Sequence, residues 1–261
     1  MPLFLPKRLA TYPNEHADLI SSHFAGAAAD VGAIPRDMRF VFICFTNRCG
    51  SHFLAEGLAS SGLLNGAGEM FNAETVIADS KAQGLRDLGQ YVGFLTREFS
   101  FNNTLVSKVS VTQLALLVQT GILDSICDRS SFILLERDDK LGQAISYALA
   151  LGTGGWTSGH KTRIEPGQVP FSAEIVSNFI KGLAEEIGLF HHFFAANGLA
   201  PMHVSYEMLE AIPEIMLTRI GAFLGMPGLR FVRSALLLRR QRDDVNLLWR
   251  QRFLELRDRA D

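Results

Sequence analysis

The stretch FVFICFTNRCGSHFLAEGLASSGLL (residues 40–64) joins an apolar run to a helical pattern through a short polar turn. The run RFVFICF at 39–45 is rich in β-branched and aromatic residues, which predicts a buried strand. Apolar residues then recur at helical spacing, which predicts a helix directly after the turn. A glycine-containing turn between a strand and a helix offers backbone N–H groups to an anion. Because TNRCGSH adds an arginine, a serine and a histidine as donors, it is predicted to bind an anion, with an ordinary polar turn as the alternative.

The rest of the chain continues this alternation of strands and helices. Further strands are predicted at TLVSKVS (104–110), SSFILLER (130–137) and Met202 to Ser205, and each is followed by a helical pattern. Continuous apolar strands alternating with helices predict an α/β fold: three-layer and P-loop-like, with a mostly parallel central sheet and helices on both faces. Residues 1–38 are predicted as an N-terminal extension with one helix near 14–29, and residues 39–261 as a single domain.

Composition narrows the classes of function. The 261 residues carry a net charge of −2, so the overall field gives no reason to expect a nucleic-acid partner. The N-terminus does not resemble a signal peptide, and no apolar run approaches the roughly 18 residues of a membrane span, so we expect no transmembrane segment and a cytoplasmic location. Cys44, Cys49 and Cys127 form no CxxC pair and are expected to be reduced thiols. A catalytic Cys49 with His52 as its partner is the less favoured alternative.

The turn at 46–52 lacks the parts that an NTPase needs. A Walker A motif reads GxxxxGK[ST], and here no lysine follows Gly50. No strand ends in an acidic residue that would clearly hold magnesium. A P-loop-like turn without metal chemistry suits sulfuryl transfer, because the transferring SO3 group carries less charge than a phosphoryl group.

Three ordered blocks carry a resemblance to a known family. They read FICFTNRCGSHFLAEGLASSGLLNGAGEMF (42–71), LLERDDKLGQAISYALALGTGGW (134–156) and RRQRDDVNLLWRQRF (239–253). Together they resemble the bacterial carbohydrate sulfotransferases typified by mycobacterial trehalose 2-sulfotransferase, with rhizobial lipopolysaccharide and Nod-factor sulfotransferase relatives. The late strand–helix unit VSYEMLEAIPEIMLTRIGAFLGM also fits. Residues 1–38, 75–103 and 158–195 carry little of the resemblance.

The resemblance implies a reaction and a donor. The donor would be the co-substrate 3'-phosphoadenosine 5'-phosphosulfate. The acceptor would be a hydroxyl of a carbohydrate or glycolipid, and the sulfuryl group would be transferred in line and without a metal. Relatives form dimers, so a homodimer is possible. The nucleotide-binding residues implied are Arg48, Cys49, Gly50, Ser51 and His52 for the phosphosulfate, Arg137 and Ser146 for the 3'-phosphate, and Arg240 and Gln241 in a C-terminal element that closes over the nucleotide. The chain departs from its relatives at His52, where they usually have threonine, and at Cys49, where serine is common.

The resemblance also implies catalytic and acceptor-binding residues. Glu69 matches the family's general base, a role that supplies about 10²–10⁴-fold in rate. Arg48 would offset charge on the leaving phosphate. Lys108 would face the donor or the acceptor, with an ion pair as an equally compatible alternative. Trp156 would contact the acceptor, with a core position as an equally compatible alternative. For Arg137 the alternative is an ion pair with Asp138 or Asp139, and for Arg240 a solvated basic run.

Two other functions remain open at the level of sequence. One is a P-loop-like small-molecule kinase or nucleotide enzyme, against which the missing Walker lysine argues. The other is a sulfotransferase fold that binds the donor without turnover, for which the His52 departure is the support. The residues do not identify the acceptor.

Overall fold

A single parallel sheet organises the chain. The computed structural model describes residues 2–156, 162–235 and 244–257. Within these residues four strands pair in the order β2-β1-β3-β4, all parallel. Their bounds are β1 Arg39–Phe45, β2 Thr104–Val109, β3 Ser130–Glu136 and β4 Met202–Ser205. The α/β class, the parallel sheet and the predicted strands are therefore confirmed, with shifts of one residue at the ends of β2 and β3.

Helices connect and surround these strands. The described α-helices are α1 Lys7–Ala10, α2 Glu15–His23, α3 Ser51–Ser60, α4 Ala73–Gln83, α5 Leu88–Phe99, α6 Val111–Gln119, α7 Ile122–Ile126, α8 Lys140–Thr153, α9 Ala173–Ala196, α10 Tyr206–Ala211, α11 Pro213–Phe223 and α12 Asp244–Arg257. Local sequence signals set several of their ends. Ser110 and Gln113 form a capping box before α6, and the Asp139 carboxylate caps α8 by accepting from the Gly142 amide. No helix in the described ranges is both long and apolar enough to cross a bilayer.

Alternate residues of the strands face two separate apolar cores. Phe40, Phe42 and Cys44 of β1 pack with helices α2 and α4 to α7 and with the C-terminal half of α9. Val41, Ile43 and Phe45 pack on the opposite face, with α3, α10 and α11. This alternation follows from the two-residue period of a strand and gives the sheet a helical layer on each face. A third apolar cluster lies between α8, α9 and α12.

The N-terminal segment contributes to the first of these cores. Leu9 of α1, Ile20 of α2 and the nearby Phe24 are buried in the same cluster as Phe40. Helix α2 is shorter than the predicted 14–29, because the chain turns at Ala25 and Gly26, both with positive φ. The domain boundary after residue 38 stays a prediction.

The strand order creates a crevice at one edge of the sheet. The chain leaves β1 for β2 on one side, then crosses to β3 on the other side of β1. Loops that follow neighbouring strands diverge at such a switch point, and open α/β sheets bind ligands there, beyond the carboxyl ends of the strands. The turn after β1 and the segment after β3 therefore border one crevice.

Candidate functional site

The turn after β1 has a backbone that few residues tolerate. Arg48 adopts a φ of 63° and Gly50 a φ of 92°, and Gly50 is the N-cap residue of helix α3. The ring of Tyr206 occupies the space that a side chain at position 50 would need: a Cβ there would lie 2.7 Å from Cε2 and still closer to Cδ2. Glycine is required at this position for both reasons. The turn thus presents the N-terminus of α3 to the crevice.

Arg48 points from this turn toward helix α8. Its Nε donates to the Ser146 hydroxyl at 3.0 Å, and its guanidinium also donates to the Trp156 carbonyl. Burial and the neighbouring Arg137 both lower the pKa of Arg48. The structure therefore brings together Arg48, Ser146 and Arg137, three residues that the sequence predicted at one site.

Arg137 directly follows β3 and enters the crevice from the other side. Its Nη1 donates to the Arg48 carbonyl at 3.4 Å, and its guanidinium lies over the Tyr206 ring, 5.4 Å from the centroid. The predicted alternative for Arg137 is an ion pair with Asp139, and its Nη2 lies a long 3.5 Å from Asp139 Oδ2. Arg137 Nε is buried, and no residue in the described ranges accepts from it. A buried, unsatisfied guanidinium nitrogen beside a second arginine is a feature that an anion would complete.

Asp139 is held by a different arginine. Arg250 of α12 donates to both of its carboxylate oxygens. Burial opposes ionisation of Asp139, but the Arg250 and Gly142 donors outweigh burial and lower its pKa. Since Arg250 already pairs with this carboxylate, Arg137 keeps more of its positive charge available. Sequence reasoning missed Arg250, although it lies in the third matching block.

Helix α10 stabilises the segment that follows β3. The Glu207 carboxylate accepts hydrogen bonds from the backbone amides of Asp138 and Asp139 at 3.0 and 3.2 Å. Burial opposes ionisation of Glu207, and these bonds overcome it and lower its pKa. The sequence alone indicates no role for Tyr206 or Glu207, because their partners lie about 70 and 156 positions away and only the fold brings them together.

Gln143 fixes the turn to helix α8. Its buried amide nitrogen donates to the Thr46 hydroxyl at 2.9 Å and to the Asn47 carbonyl at 2.7 Å. Ser146, one turn further along α8, reaches Arg48. Their spacing of three residues, visible in the sequence, places both on one helix face.

Glu69, Lys108 and His52 form a second polar group beside β2. Gly68 makes a single bridge to Ser107, and this bridge brings Glu69 next to the end of β2. Lys108 Nζ contacts Glu69 Oε1 at 3.0 Å and His52 Nε2 at 3.3 Å. The Lys108 side chain is 2% exposed, whereas that of Glu69 is 36% exposed. Glu69 is therefore partly open to solvent, whereas the Lys108 side chain that contacts it is buried.

Trp156 lies beside Arg48 and Tyr147. Its ring is half-buried and lies 5.9 Å from the ring of Tyr147. Tyr147 in turn stacks on Phe179 and accepts a hydrogen bond from Asn47 Nδ2 at 3.1 Å. Aromatic side chains therefore form a wall next to the Arg48 turn.

The other predicted residues fall into two groups. Ser51 and Cys49 are buried at the start of α3, and burial raises the pKa of the Cys49 thiol to about 11, which argues against a catalytic thiolate. Arg240 and Gln241 lie outside the described residues. Among the residues that are described, no group of three or more His, Cys, Asp or Glu is placed to hold a metal.

Two comparisons relate the chain to known proteins. A search of curated proteins found no match for the chain. The family model described as Stf0 sulphotransferase matches residues 110–256, more than half of the sequence. The matched region includes Arg137, Ser146, Tyr206 and Arg250, whereas the turn after β1 and Glu69 precede it. The chain therefore belongs to the Stf0 sulphotransferase family.

Proposed function

We propose that this sulfotransferase moves a sulfuryl group from 3'-phosphoadenosine 5'-phosphosulfate to a hydroxyl of a carbohydrate or glycolipid acceptor. The observation that carries the proposal is the convergence of Arg48 and Arg137 at the β1/β3 switch point, with Arg137 Nε buried and unsatisfied by any described residue. Two guanidiniums so close together repel each other, and a multiply charged anion offsets that repulsion. A nucleotide with phosphates at both its 3' and 5' ends supplies such anions.

The two ends of the nucleotide would bind to different elements. The 5'-phosphosulfate would be held by hydrogen-bond donors of the turn after β1. These are the Arg48 side chain, the backbone of Cys49 and Gly50, and the first turn of α3 at Ser51 and His52. Arg137 and Ser146 would hold the 3'-phosphate. Arg240 and Gln241 stay a prediction as the element that closes over the nucleotide.

The transfer step needs one base and one stabilised leaving group. The acceptor oxygen attacks sulfur and forms an O–S bond while the bond between sulfur and the bridging phosphate oxygen breaks. The proton of the acceptor hydroxyl passes to the Glu69 carboxylate, and 3',5'-adenosine bisphosphate leaves with its new negative charge facing Arg48. Lys108 would orient Glu69 through Oε1, so that Oε2 can face the acceptor. The half-buried Trp156 ring would contribute to the acceptor wall by stacking on a sugar face.

Titration calorimetry with 3',5'-adenosine bisphosphate tests the donor site. We expect this nucleotide to bind at least about tenfold more tightly than ATP, because ATP lacks a 3'-phosphate for Arg137. Equal affinity, absent binding, or magnesium-dependent ATP turnover would contradict the proposal.

Arg137→Ala tests the same site by substitution. Loss of a charge-assisted contact should weaken bisphosphate binding by about tenfold or more and leave the circular dichroism spectrum unchanged. Arg97→Ala removes an equal charge from the exposed surface of α5 and serves as the control. Equal losses of bisphosphate affinity in the two variants would show that net charge, and not a contact made by Arg137, determines binding.

A further inference from the structure

The buried ammonium group of Lys108 is shared between two side chains. Its Nζ lies 3.0 Å from Glu69 Oε1 and 3.3 Å from His52 Nε2, its two hydrogen-bond partners among the residues that the structure describes. It also lies 5.5 Å from the centroid of the Phe45 ring, at the end of β1. The Lys108 side chain is 2% exposed, so water has little access to this charge. A charge buried in this way depends on the protein groups around it for its stabilisation.

These contacts determine the state of the His52 ring. An ammonium group has three N–H donors and no acceptor, so a hydrogen bond between Lys108 and His52 requires Nε2 to accept. A protonated imidazolium has donors at both nitrogens and would repel Lys108. In this arrangement the His52 ring is therefore neutral and carries its proton on Nδ1, the nitrogen nearer to the backbone of α3.

The fold brings His52 to Lys108 through two neighbouring strands. Lys108 lies on β2 opposite Ile43 of β1, and His52 lies in the first turn of α3, which follows β1. His52 is exposed, so its ring extends from the surface to a buried charge. Threonine, which the similar sulfotransferases usually have at this position, carries its hydroxyl on Cβ and would end short of Lys108.

The second contact of Lys108 matters for the carboxylate of Glu69. In the described ranges, Lys108 is the one side chain that donates to this carboxylate. An ammonium held by Glu69 alone could swing around it, whereas the acceptor at His52 fixes where Nζ lies. A general base must be held within hydrogen-bond reach of the hydroxyl that it deprotonates. The position of Nζ therefore sets the orientation in which Glu69 meets an acceptor.

We propose that His52 is a positioning residue for the general base. Its neutral ring accepts from Lys108 through Nε2 and so fixes the ammonium group that orients Glu69. The inference rests on the proposed function, which assigns the role of base to Glu69. It gives the departure at position 52 a chemical purpose in a protein that retains turnover. The effect of His52 on this pair belongs to the transfer step and not to acceptor binding.

Nuclear magnetic resonance of isotope-labelled histidine tests the tautomer without an acceptor substrate. At about pH 8, where an ordinary imidazole is neutral, we expect the His52 signals to show a protonated Nδ1 and an unprotonated Nε2. Their absence from the spectrum of His52→Gln identifies them. Methionine suits a buried position, so Lys108→Met should fold, and it should remove the preference for Nδ1–H. A proton on Nε2 in the wild type, or an unchanged preference in Lys108→Met, would overturn the proposal.

Two amides of different length test the contact in turnover. The glutamine amide reaches about as far as Nε2 and can accept from Lys108, whereas the asparagine amide reaches only as far as Nδ1. The acceptors are trehalose, maltose, N-acetylglucosamine and octyl glucoside, with labelled 3'-phosphoadenosine 5'-phosphosulfate as donor. We expect kcat to be about tenfold lower in His52→Asn than in His52→Gln, and the acceptor KM values to differ less than about threefold. His192→Gln, at an exposed position of α9, is the control and should leave kcat unchanged.

The outcomes separate this role from the function on which it rests. Equal kcat values in His52→Asn and His52→Gln, with an active wild type, overturn the positioning role alone. A difference that lies in acceptor KM instead of kcat also overturns it, since His52 would then act in binding. A wild type that binds 3',5'-adenosine bisphosphate but sulfates no member of the panel contradicts the proposed acceptor class, and the role of His52 in transfer with it.

Discussion

At the scale of single residues, Gly50 is the position in the site where a substitution is most strongly restricted. Its φ of 92° and the Tyr206 ring against it exclude a side chain for two independent reasons. We expect Gly50→Ala to lower the free energy of unfolding by about 2–4 kcal/mol, the sum of backbone strain and steric overlap. Urea denaturation measures this value. Gly62→Ala, at a similar φ of 68° with open space around it, isolates the strain and should cost about 1 kcal/mol.

The overlap itself can be tested by removing the ring. In the Gly50→Ala background, Tyr206→Ala should recover part of the lost stability, because the added methyl group then has space. Strict additivity of the two substitutions would contradict the steric explanation.

Glu186 gives a second prediction at this scale, through pH. Its pKa of about 7 in the folded state exceeds the ordinary value of 4.5, so the folded state binds the proton more tightly than the unfolded state. The stabilisation from the protonated form is complete below pH 4.5 and is lost as pH rises through about 7. We expect Glu186→Gln to stabilise the protein by about 1–3 kcal/mol at pH 8 and by little at pH 4.5. The groups around it are Glu185, Arg8, Tyr12 and Tyr147.

Thermal melts at the two pH values measure this difference. Glu185→Gln provides the control, since its carboxylate faces outward and pairs with Arg8. A gain for Glu186→Gln that is equal at both pH values would contradict the raised pKa.

At the scale of elements, α12 reaches the crevice through one ion pair. Arg250 pairs with Asp139, which caps α8 and lies beside Arg137. Without Arg250, the Asp139 carboxylate would turn its charge toward Arg137 and compete with a bound phosphate. We expect Arg250→Ala to weaken 3',5'-adenosine bisphosphate binding about threefold to tenfold, as measured by calorimetry, and to speed amide exchange in α12.

The control for this element is the neighbouring Gln251, whose amide donates, among the residues that the structure describes, to Glu255 on the same exposed helix face. Gln251→Ala should leave nucleotide binding unchanged. Unchanged binding in Arg250→Ala would show that α12 contributes to packing alone, through the buried Trp249 and its contact with Phe171.

At the scale of the whole molecule, the N-terminal segment belongs to the main core. Ile20 is 2% exposed in the cluster that covers one face of the sheet, and its neighbour Leu19 is 46% exposed. We expect Ile20→Ala to lower the free energy of unfolding by about 2–5 kcal/mol and Leu19→Ala by less than about 0.5 kcal/mol, in urea denaturation. Similar small effects at both positions would indicate that the segment folds separately from the sheet.

The sequence determined most of the secondary structure and half of the candidate site. The strand Arg39–Phe45 and the turn after it can be predicted from local periodicity and turn residues, because both depend on residues that are neighbours in the sequence. Arg48 and Arg137 could be predicted at one edge because each follows a parallel strand, and such ends gather there. Ser146 came from the family resemblance. The blocks that carry the family resemblance added Glu69.

Only the tertiary structure decided which side chains touch. Lys108 contacts Glu69 because the Gly68 bridge aligns residues 39 positions apart. It contacts His52 because β2 pairs with β1, and helix α3 follows β1. Arg250 meets Asp139 across 111 positions, and the Glu207 carboxylate accepts from the backbone amides of Asp138 and Asp139 across 69 and 68 positions. Such contacts depend on strand order and on which helix covers which face. No local pattern in the chain encodes that order, so the partners of these groups emerge only when the sheet is assembled.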